Sequence, residues 1–318
     1  MPVFPKPAFP YTYDVQAQID FLRAHRQAAD RLIPAKDPHR MLLATWNIAN
    51  FGAQDRRESE FRLLAEVLSW FDVAAIQECR ENFSHLEEVH SRLPASYRLL
   101  FTDIAGNQER MSFIYDSSKL TLLEKIGEIS LPPADLGNVK LPGITQAFRG
   151  FDRNPYLATF KIGQTNFMFV NVHLYFGSTS ADDIQRRSLE TFAVARWADQ
   201  RRKSAFSFTK EIVALGDFNM PKAEPGDAVF EALTARGLEL PDHSSIIGSS
   251  IASDAQYDQV AFFPGSTAMR FTGKKGVFDY DKVVFPDLWQ ARGQTDFNAY
   301  LRYYISDHRP MWVEFNVT

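Results

Sequence analysis

Short apolar runs recur along the chain and predict β-strands. They occupy residues 41–46, 71–77, 167–172, 211–216 and 257–263. Each run is short and strand-like. Further strands joined by turns are predicted at 113–115, 120–129, 157–162 and 166–172. Because many of these connections do not have the strand–helix–strand form, the pattern favours a largely antiparallel or mixed two-sheet core with helices outside it.

Helical periodicity is found in four stretches between and before these runs. They are Asp14–Leu32, Glu58–Trp70, Asn82–Leu93 and Asp182–Arg202. In the first helix, Ile19, Leu22 and Ala29 form one packing face, and Pro34 ends the helix. We therefore expect residues 1–40 to form an N-terminal arm with a helix, and residues 41–318 to form one folded domain.

The apolar runs end or begin with polar residues whose chemistry recurs. The clusters are Trp46-Asn47, Gln77-Glu78, His173, Gly216-Asp217-Phe218-Asn219, Tyr257-Asp258 and Ser306-Asp307-His308-Arg309-Pro310. Any one polar residue after a strand is more often a turn former, and a single histidine is often a satisfied core residue. Six recurrences of oxygen ligands and imidazoles where buried strands reach the surface favour one ligand site at the strand ends.

Local geometry adds to this prediction. Asp217 and Asn219 can face one cation if the backbone between them stays extended, because residues two apart share a side of a strand. Asp307 and His308 are adjacent, so we expect them in a turn before Pro310, where both side chains can reach one site.

Composition narrows the class of protein. The chain has 318 residues, 45% of them apolar and 23% charged, with a net charge of −4, which indicates a globular protein without the basic balance typical of nucleic-acid binders. Its single cysteine, Cys79, excludes an intrachain disulfide and a thiolate zinc cluster, and a buried inert thiol is the simplest interpretation. With no secretory-type leader and no membrane-spanning apolar run, we expect a cytoplasmic protein.

The polar clusters, in their order and spacing, resemble the motifs of the endonuclease/exonuclease/phosphatase superfamily, and within it deoxyribonuclease I. The residues that carry this resemblance are Thr45-Trp46-Asn47-Ile48, Ile76-Gln77-Glu78-Cys79-Arg80, Glu109-Arg110, Arg153-Asn154-Pro155, Asn171-Val172-His173-Leu174, Gly216-Asp217-Phe218-Asn219, Tyr257-Asp258-Gln259-Val260 and Ser306-Asp307-His308-Arg309-Pro310. The match covers residues 42–318. It implies a four-layer α/β sandwich of two packed mixed sheets flanked by helices, and a catalytic domain at 41–318.

The resemblance also implies roles for these residues. Glu78 is expected to be the central metal ligand, with Asn47 and Asp307 at or beside the metal, and the all-oxygen set prefers Mg²⁺ or Mn²⁺. His308 and His173 flank the phosphate, oriented by Asp258 and Glu109 respectively, and which of them is the base stays open. Asp217 is a candidate for positioning the attacking water, and Asn219 for holding a phosphate oxygen.

Arginines supply candidate contacts to the substrate phosphate. Arg153 is a candidate phosphate clamp, and Arg80 and Arg110 are weaker candidates. The basic residues of Arg186-Arg187 and Arg201-Arg202-Lys203 contact nucleic acid or, more simply, form a solvated helix face. His243 is a candidate for lining the substrate pocket. Two features depart from deoxyribonuclease I: Ala49 replaces its DNA-contacting arginine, and Gly106-Asn107-Gln108 lacks its minor-groove tyrosine.

Three functions remain open at this point. The leading prediction is a Mg²⁺- or Mn²⁺-dependent phosphodiesterase, a deoxyribonuclease I-like endonuclease on nucleic acid with DNA as the favoured substrate. The alternative keeps the chemistry and acts on a small-molecule or lipid phosphoester, which the acidic balance of the chain favours. The third is a binding module without catalysis. No protein partner is indicated by the sequence.

Overall fold

Two β-sheets packed face to face make up the centre of the protein. The computed structural model describes residues 3–28, 32–241 and 247–318. The first sheet has the strand order β10-β11-β1-β2-β4-β3, and the second has the order β5-β6-β7-β8-β9. The strands are β1 Arg40–Phe51, β2 Val73–Arg80, β3 Tyr97–Phe101, β4 Glu109–Asp116, β5 Thr121–Glu128, β6 Tyr156–Ile162, β7 Thr165–His173, β8 Glu211–Asp217, β9 Asp258–Phe262, β10 Phe271–Val277 and β11 Met311–Asn316.

Each sheet is mixed. Within the first, β1 and β2 are parallel, and within the second, β7 and β8 are parallel; the other neighbouring strands pair antiparallel. Helices cover the outer face of both sheets. They are α1 Val15–Arg26, α2 Glu58–Ser69, α3 Ser84–His90, α4 Pro133–Leu136, α5 Ala181–Lys203, α6 Ala228–Thr234 and α8 Pro286–Tyr304. One further short helix, α7 Ser266–Arg270, packs instead against the core between the sheets through Ala268. The predicted four-layer α/β sandwich is therefore confirmed.

Strand β1 shows why its sequence is apolar at nearly every position. Met41 and Leu43 pack between the two sheets, whereas Leu42, Ala44 and Trp46 pack against the helices outside the first sheet. Successive side chains of a strand point to opposite faces, so a strand covered on both faces needs apolar residues without alternation.

The N-terminal helix is shorter than predicted. It begins after Asp14, whose carboxylate accepts the amides of Gln16 and Ala17, and it ends at Arg26. The Arg26 guanidinium donates to the carbonyls of Ile33 and Pro34, so the chain has already turned back before Pro34. Ile19 and Leu22 are buried as expected, and Ala29 lies outside the described residues.

The residues before β1 pack onto the first helical layer. Phe4, Phe9, Tyr11 and Tyr13 lie against its apolar core, and the Tyr13 hydroxyl donates to Glu60 of α2 at 2.7 Å. Over the described part of the chain, none of the helices combines the length and the apolar character that crossing a bilayer requires.

Candidate active site

One edge of the sandwich collects the polar clusters. The parallel strands β1 and β2 end there, and so do β7 and β8, with His173 opposite Asp217. Strands β4, β9 and β11 run antiparallel to these and begin at the same edge. This edge, called the site edge below, therefore receives side chains from both sheets.

Glu78 reaches the site because the backbone breaks the regular ladder there. The pairing of β2 shifts between Ile76 and Cys79, and Glu78 has a φ of 60°, a left-handed conformation that side chains rarely adopt. Its carboxylate accepts the Asn47 amide at 3.1 Å and the Asn50 backbone N–H at 2.8 Å. The strained backbone thus turns the carboxylate of Glu78 toward Asn47.

Oxygen atoms around Glu78 fit a hard divalent cation. The Oδ1 atoms of Asn47 and Asp307 are buried, and neither has a hydrogen-bond partner within the described ranges. Burial raises the pKa of the Asp307 carboxyl, and the nearby carboxylates of Glu78 and Asp217 raise it further, against His308. Unpartnered buried oxygens and crowded carboxylates are the donor set that Mg²⁺ and Mn²⁺ prefer.

A second acidic group lies beside this one. Asp217, Asp258 and His308 offer ligand atoms that all lie within 4.8 Å of one another. The His308 Nδ1 atom, however, is 2.6 Å from Asp258 Oδ2, which is a hydrogen-bond distance. That bond leaves Asp258 Oδ1 and His308 Nε2 available, but the Glu78 group offers only oxygen atoms, which Mg²⁺ and Mn²⁺ prefer to imidazole, and so it is the better site for these ions.

His308 is fixed on all sides. Ser306 Oγ donates to the Asn47 carbonyl at 2.6 Å and accepts the His308 backbone N–H at 3.0 Å, and the Trp46 indole donates to the His308 carbonyl at 2.9 Å. Burial disfavours the imidazolium of His308, but the carboxylates of Asp258, Asp217 and Asp307 together outweigh it and raise the pKa well above its ordinary value. His308 and Asp258 form the first histidine–carboxylate pair.

His173 forms the second pair with Glu109. Its Nδ1 lies 3.0 Å from Glu109 Oε2, and Arg153 Nη1 lies 3.5 Å from the same oxygen. Arg80 Nη1 is 3.6 Å from the other carboxylate oxygen of Glu109. Burial raises the pKa of Glu109, but His173 and Arg153 outweigh it and lower the pKa to about 2.

Asp217 stands between the two pairs. Its Oδ2 lies 3.7 Å from His173 Nε2 and 4.0 Å from His308 Nε2, and it accepts the Asn47 amide at 3.0 Å. Burial raises the pKa of the Asp217 carboxyl, but the two histidines outweigh it, so the pKa is lowered. The two imidazoles therefore present their Nε2 atoms to one shared space.

Asn219 does not meet the condition set for it. Its φ is 52°, so the backbone from Asp217 is not extended, and the two side chains do not share a strand face. The Asn219 backbone N–H donates to Asp217 Oδ1 at 2.8 Å, and its amide donates to the Leu174 carbonyl at 2.8 Å. Asn219 therefore braces Asp217 and the segment after His173.

The three candidate arginines differ in position. Arg153 is buried, and besides facing Glu109 it donates to the carbonyls of His173 and Leu174 at 2.7 and 3.0 Å. Arg80 donates to the Asn107 carbonyl and to the Asn50 side chain. Arg110 points to the other face of β4, where it donates to the Thr102 carbonyl at 3.1 Å and lies over the Phe83 ring. The structure does not bring Arg110 into the group.

Sequence reasoning missed several supporting residues. Arg187 is buried, although the sequence suggested a solvated or nucleic-acid-binding face. Its guanidinium donates to the carbonyls of Tyr175, Phe176, Ser178 and Asn219, which joins the loops after β7 and β8. Its burial depends on these carbonyls, so the sequence carried no local signal for it. His243 lies outside the described residues.

Two buried amides join the sheets beneath the site. Gln77 Nε2 donates to Asn171 Oδ1 at 2.6 Å, and Asn171 Nδ2 donates to the carbonyls of Ile76 and Ser112 at 3.2 and 3.0 Å. Both amides belong to the polar clusters read from the sequence, where no role was given to them. These hydrogen bonds fix β2 of one sheet relative to β7 of the other, so Glu78 and His173 at the strand ends keep their distance from each other.

The fold is similar to that of several solved structures. A protein described as belonging to the endonuclease/exonuclease/phosphatase family, from Bacteroides thetaiotaomicron, superposes with a TM-score of 0.54 at 17% identity, over 86% of this chain and 94% of that one. This chain has the endonuclease/exonuclease/phosphatase fold. The fold that the motifs predicted by resemblance is thus confirmed.

Other proteins with the endonuclease/exonuclease/phosphatase fold give similar values. A mannosyl-6-phosphatase from Bacteroides thetaiotaomicron matches with a TM-score of 0.55 at 17% identity, covering 86% of this chain and 98% of that chain. TDP2 of D. rerio, in complex with a single-strand DNA product, matches with a TM-score of 0.55 at 15% identity, covering 87% and 99%. Neither a family model nor a curated protein matches the sequence.

Proposed function

We propose that this protein is a divalent-metal-dependent phosphoester hydrolase. The observation that carries the proposal is the convergence of Glu78, Asp217, His173 and His308, from segments far apart in the chain, at the site edge. Glu78 and Asp217 both contact the Asn47 amide, and both histidines lie within 4.0 Å of Asp217. Carboxylates, an amide and two imidazoles around one hollow are what phosphoester hydrolysis needs.

Glu78, Asn47 and Asp307 are the residues that would hold Mg²⁺ or Mn²⁺. When bound, such an ion neutralises phosphate charge and makes the phosphorus more reactive. The chain supplies two oxygens without partners at Asn47 and Asp307, and these support the assignment. Asp217, fixed by the Asn219 N–H and facing both histidines, positions the attacking water.

The two histidines have different roles, proton transfer and phosphate binding. His308, held at Nδ1 by Asp258, exchanges a proton at Nε2 with the water or the leaving oxygen. His173, held by Glu109 with Arg153 and Arg80 close by, binds a non-bridging phosphate oxygen. Both assignments use the nitrogen that each carboxylate leaves free.

A nucleic-acid phosphodiester is the first candidate substrate, with DNA favoured. An open cleft continues from Arg80 along Gly52, Asn82 and Asn107 and gives a polymer room on one side of the site. TDP2 of D. rerio, which has this fold, is found in complex with a single-strand DNA product. A substrate that extends beyond the reacting phosphate fits this open cleft.

A small-molecule or lipid phosphoester is the second candidate, and a specific observation favours it. Arg110 is turned away from the site, and Ala49, where deoxyribonuclease I has an arginine, is buried. The mannosyl-6-phosphatase shares the fold and is named for a small substrate. With fewer cations beside the site than deoxyribonuclease I has, this protein suits a substrate that carries one phosphate.

A substrate panel under Mg²⁺ and Mn²⁺ tests the proposal. It should contain single- and double-stranded DNA, RNA, bis-p-nitrophenyl phosphate, p-nitrophenyl phosphate, phosphoinositides, sphingomyelin and nucleotides. We expect turnover of diesters that EDTA abolishes and added Mg²⁺ or Mn²⁺ restores. Turnover of monoesters alone would select the second candidate. A clean protein that binds no metal and hydrolyses none of these would be a binding module, and the proposal would be wrong.

A further inference from the structure

The basic run at the end of α5 lies far from the site edge. Strand β8 begins at Glu211 and ends at Asp217 in the site, and α5 runs back from the site to Lys203. The loop 204–210 therefore lies at the opposite end of the sandwich. The residues Arg201, Arg202 and Lys203 cannot contact a substrate held at the site edge, so their role must be sought elsewhere.

The same end exposes large apolar side chains. Phe206 is 98% exposed, Phe208 is 43% exposed and Met269 is 78% exposed. Met269 lies on α7, and the Thr267 hydroxyl of that helix donates to the carboxylate of Glu211, the first residue of β8. A single exposed apolar residue is ordinary, but three at one end favour an interaction surface there, called the apolar patch below.

Positive charge surrounds the apolar patch. Arg201, Arg202, Lys203 and Lys210 flank the two phenylalanines, and the segment 200–210 contains no Asp or Glu. Two carboxylates lie at this end: Asp199 pairs with Arg202, Lys203 and Arg236 at 3.2, 2.9 and 3.0 Å, and Glu211 accepts the Thr267 hydroxyl. These two do not balance the cations Arg201, Arg202, Lys203, Lys210 and Arg236, so the surface around the loop keeps a net positive charge.

Hydrogen bonds hold the loop in shape. The Thr209 hydroxyl donates to the Asn166 carbonyl at 2.6 Å, which ties the loop to the start of β7. The Ser207 hydroxyl donates to the Thr209 carbonyl, and the Phe206 N–H donates to the Ser204 hydroxyl at 3.2 Å. These bonds tie the loop to β7 and occupy its three hydroxyl groups and the Phe206 N–H, so these groups are not exposed when Phe206 enters an apolar phase.

We propose that the loop 204–210, with Met269, docks the protein on an anionic membrane surface. Aromatic side chains surrounded by lysine and arginine suit the interface between lipid headgroups and acyl chains, where the rings are buried and the cations meet anionic headgroups. Phenylalanines also stack on nucleic-acid bases, but Met269 has no aromatic face to stack and fits acyl chains. Docking in this way leaves the site edge facing solvent.

Co-sedimentation with vesicles tests the proposal independently of any catalytic activity. We expect binding to vesicles that contain phosphatidylserine, weak binding to pure phosphatidylcholine, and loss of binding as salt screens the charges. The variant with Phe206→Ser and Phe208→Ser, and the variant Lys210→Glu, should each bind about 10-fold or more weakly. These side chains are exposed, so the variants should keep the thermal unfolding midpoint of the parent.

Matched controls are available elsewhere on the surface. Phe21 on α1 is 42% exposed, close to the 43% of Phe208, and serves as the control phenylalanine. Lys140 is exposed and serves as the control lysine. Phe21→Ser and Lys140→Glu should leave vesicle binding unchanged. Equal losses of vesicle binding in the control and loop variants would overturn the proposal. A parent protein that does not bind phosphatidylserine vesicles would overturn it as well. Loop-dependent binding of single-stranded DNA without vesicle binding would reassign the surface to nucleic acid and also overturn it.

A second measurement reports the orientation. The single cysteine, Cys79, is buried, so a cysteine introduced on the surface can be labelled selectively. A polarity-sensitive dye on Ala205→Cys should shift to the blue when phosphatidylserine vesicles are added. The same dye on Lys222→Cys, in the segment that follows β8 at the site edge, should not shift. A shift at Lys222→Cys alone would place the membrane at the wrong end of the sandwich.

Discussion

The two histidine–carboxylate pairs have the same composition but different surroundings. Each pair takes one residue from each sheet, and each imidazole faces Asp217 with its Nε2 atom. Asp258 contacts His308 and Ser249, and burial together with Asp217 raises its pKa against His308. Glu109 lies beside Arg80, Arg153 and His173. Of these, His173 and Arg153 outweigh its burial and lower its pKa to about 2.

This difference shows how two similar pairs can serve different ends. Around Glu109 the arginines fix a charged carboxylate and leave the neighbourhood positive, which suits the binding of a phosphate oxygen. Around Asp258 the imidazole of His308 is the nearby cation, so the charge of the pair depends on the proton that His308 holds. We infer that the His308 pair moves a proton and the His173 pair binds an anion.

The largest effect on activity is expected from removing Glu78, the proposed central metal ligand. Glu78→Ala removes the central oxygen ligand, so metal-dependent turnover should be abolished while the protein stays folded. Adding His308→Ala or His173→Ala to Glu78→Ala should then cost little more, because either histidine acts only on a phosphoester that is bound and activated. Turnover assays measure the activity of each variant, and isothermal titration calorimetry with Mn²⁺ measures its metal affinity.

Asn219→Ala is a useful comparison for Glu78→Ala. It removes a side chain of the same site that braces a loop and is not placed among the metal ligands. Metal affinity should therefore survive in Asn219→Ala and be lost in Glu78→Ala. Retained metal-dependent activity in Glu78→Ala would remove Glu78 from its central position.

The histidine substitutions come next in size. His308→Ala should lower kcat by ~10²–10⁴-fold, because that is what removing a positioned proton carrier typically costs. His173→Ala should act more through KM, since it removes a contact to a phosphate oxygen. Steady-state kinetics on one diester separates the two. Identical kcat and KM changes in both variants would show that the inferred division of roles is wrong.

The carboxylate partners should give smaller losses of the same kinds. Asp258→Asn should lower kcat by ~10²-fold with little change in metal affinity, because the amide no longer fixes the His308 ring. Glu109→Gln should raise KM more than it lowers kcat, because the amide no longer fixes the His173 ring and the Arg153 and Arg80 guanidinium groups beside it. If Asp258→Asn loses metal as completely as Glu78→Ala does, Asp258 is a metal ligand and the pair has another function.

The sequence predicted most strands of the two-sheet core, but not β3 or β10. It also missed four of the helices, α4, α6, α7 and α8, of which α8 is the longest. Strands covered on both faces leave continuous apolar runs, such as 41–46 and 211–216, and these need only local patterns. Helix α8 is interrupted at Gly293, whose φ is 73°, so its apolar positions do not keep one helical phase. A break of this kind depends on packing against other elements, which no local pattern records.

For the site, the sequence predicted which residues converge but not how they are aimed. Polar residues at strand ends locate Asn47, Glu78 and Asp217 without coordinates, because parallel strands end at one edge. The left-handed backbone at Glu78 and Asn219 depends on tertiary contacts. Burial of Arg187 depends on carbonyls that reach it from two separate loops. These features come from the fold, so a local reading cannot supply them.

The smallest effect expected concerns Glu190, a buried residue of α5 behind the His173 pair. Its carboxylate accepts the backbone N–H groups of Asp152 and Tyr175 at 3.1 and 3.0 Å, and so supports the segments next to Arg153 and His173. Burial raises the pKa of Glu190 from 4.5 to about 7, although these N–H groups and Arg186 oppose it. The folded protein therefore holds a proton on Glu190 that the unfolded chain releases above a pH of about 4.5.

It follows that the contribution of Glu190 to stability is complete below the unfolded pKa and is lost as the pH rises to about 7. The loss amounts to at most about 3 kcal/mol of unfolding free energy. Glu190→Gln copies the protonated acid, so denaturant unfolding should show the variant matching the parent near pH ~5 and exceeding it near pH ~8. Glu124→Gln, an exposed substitution on β5, should keep the slope of the parent. Parallel pH profiles for the parent and Glu190→Gln would mean that the ionised carboxylate is fully compensated by its two N–H donors, and the His173 side of the site would then rest on a charged support.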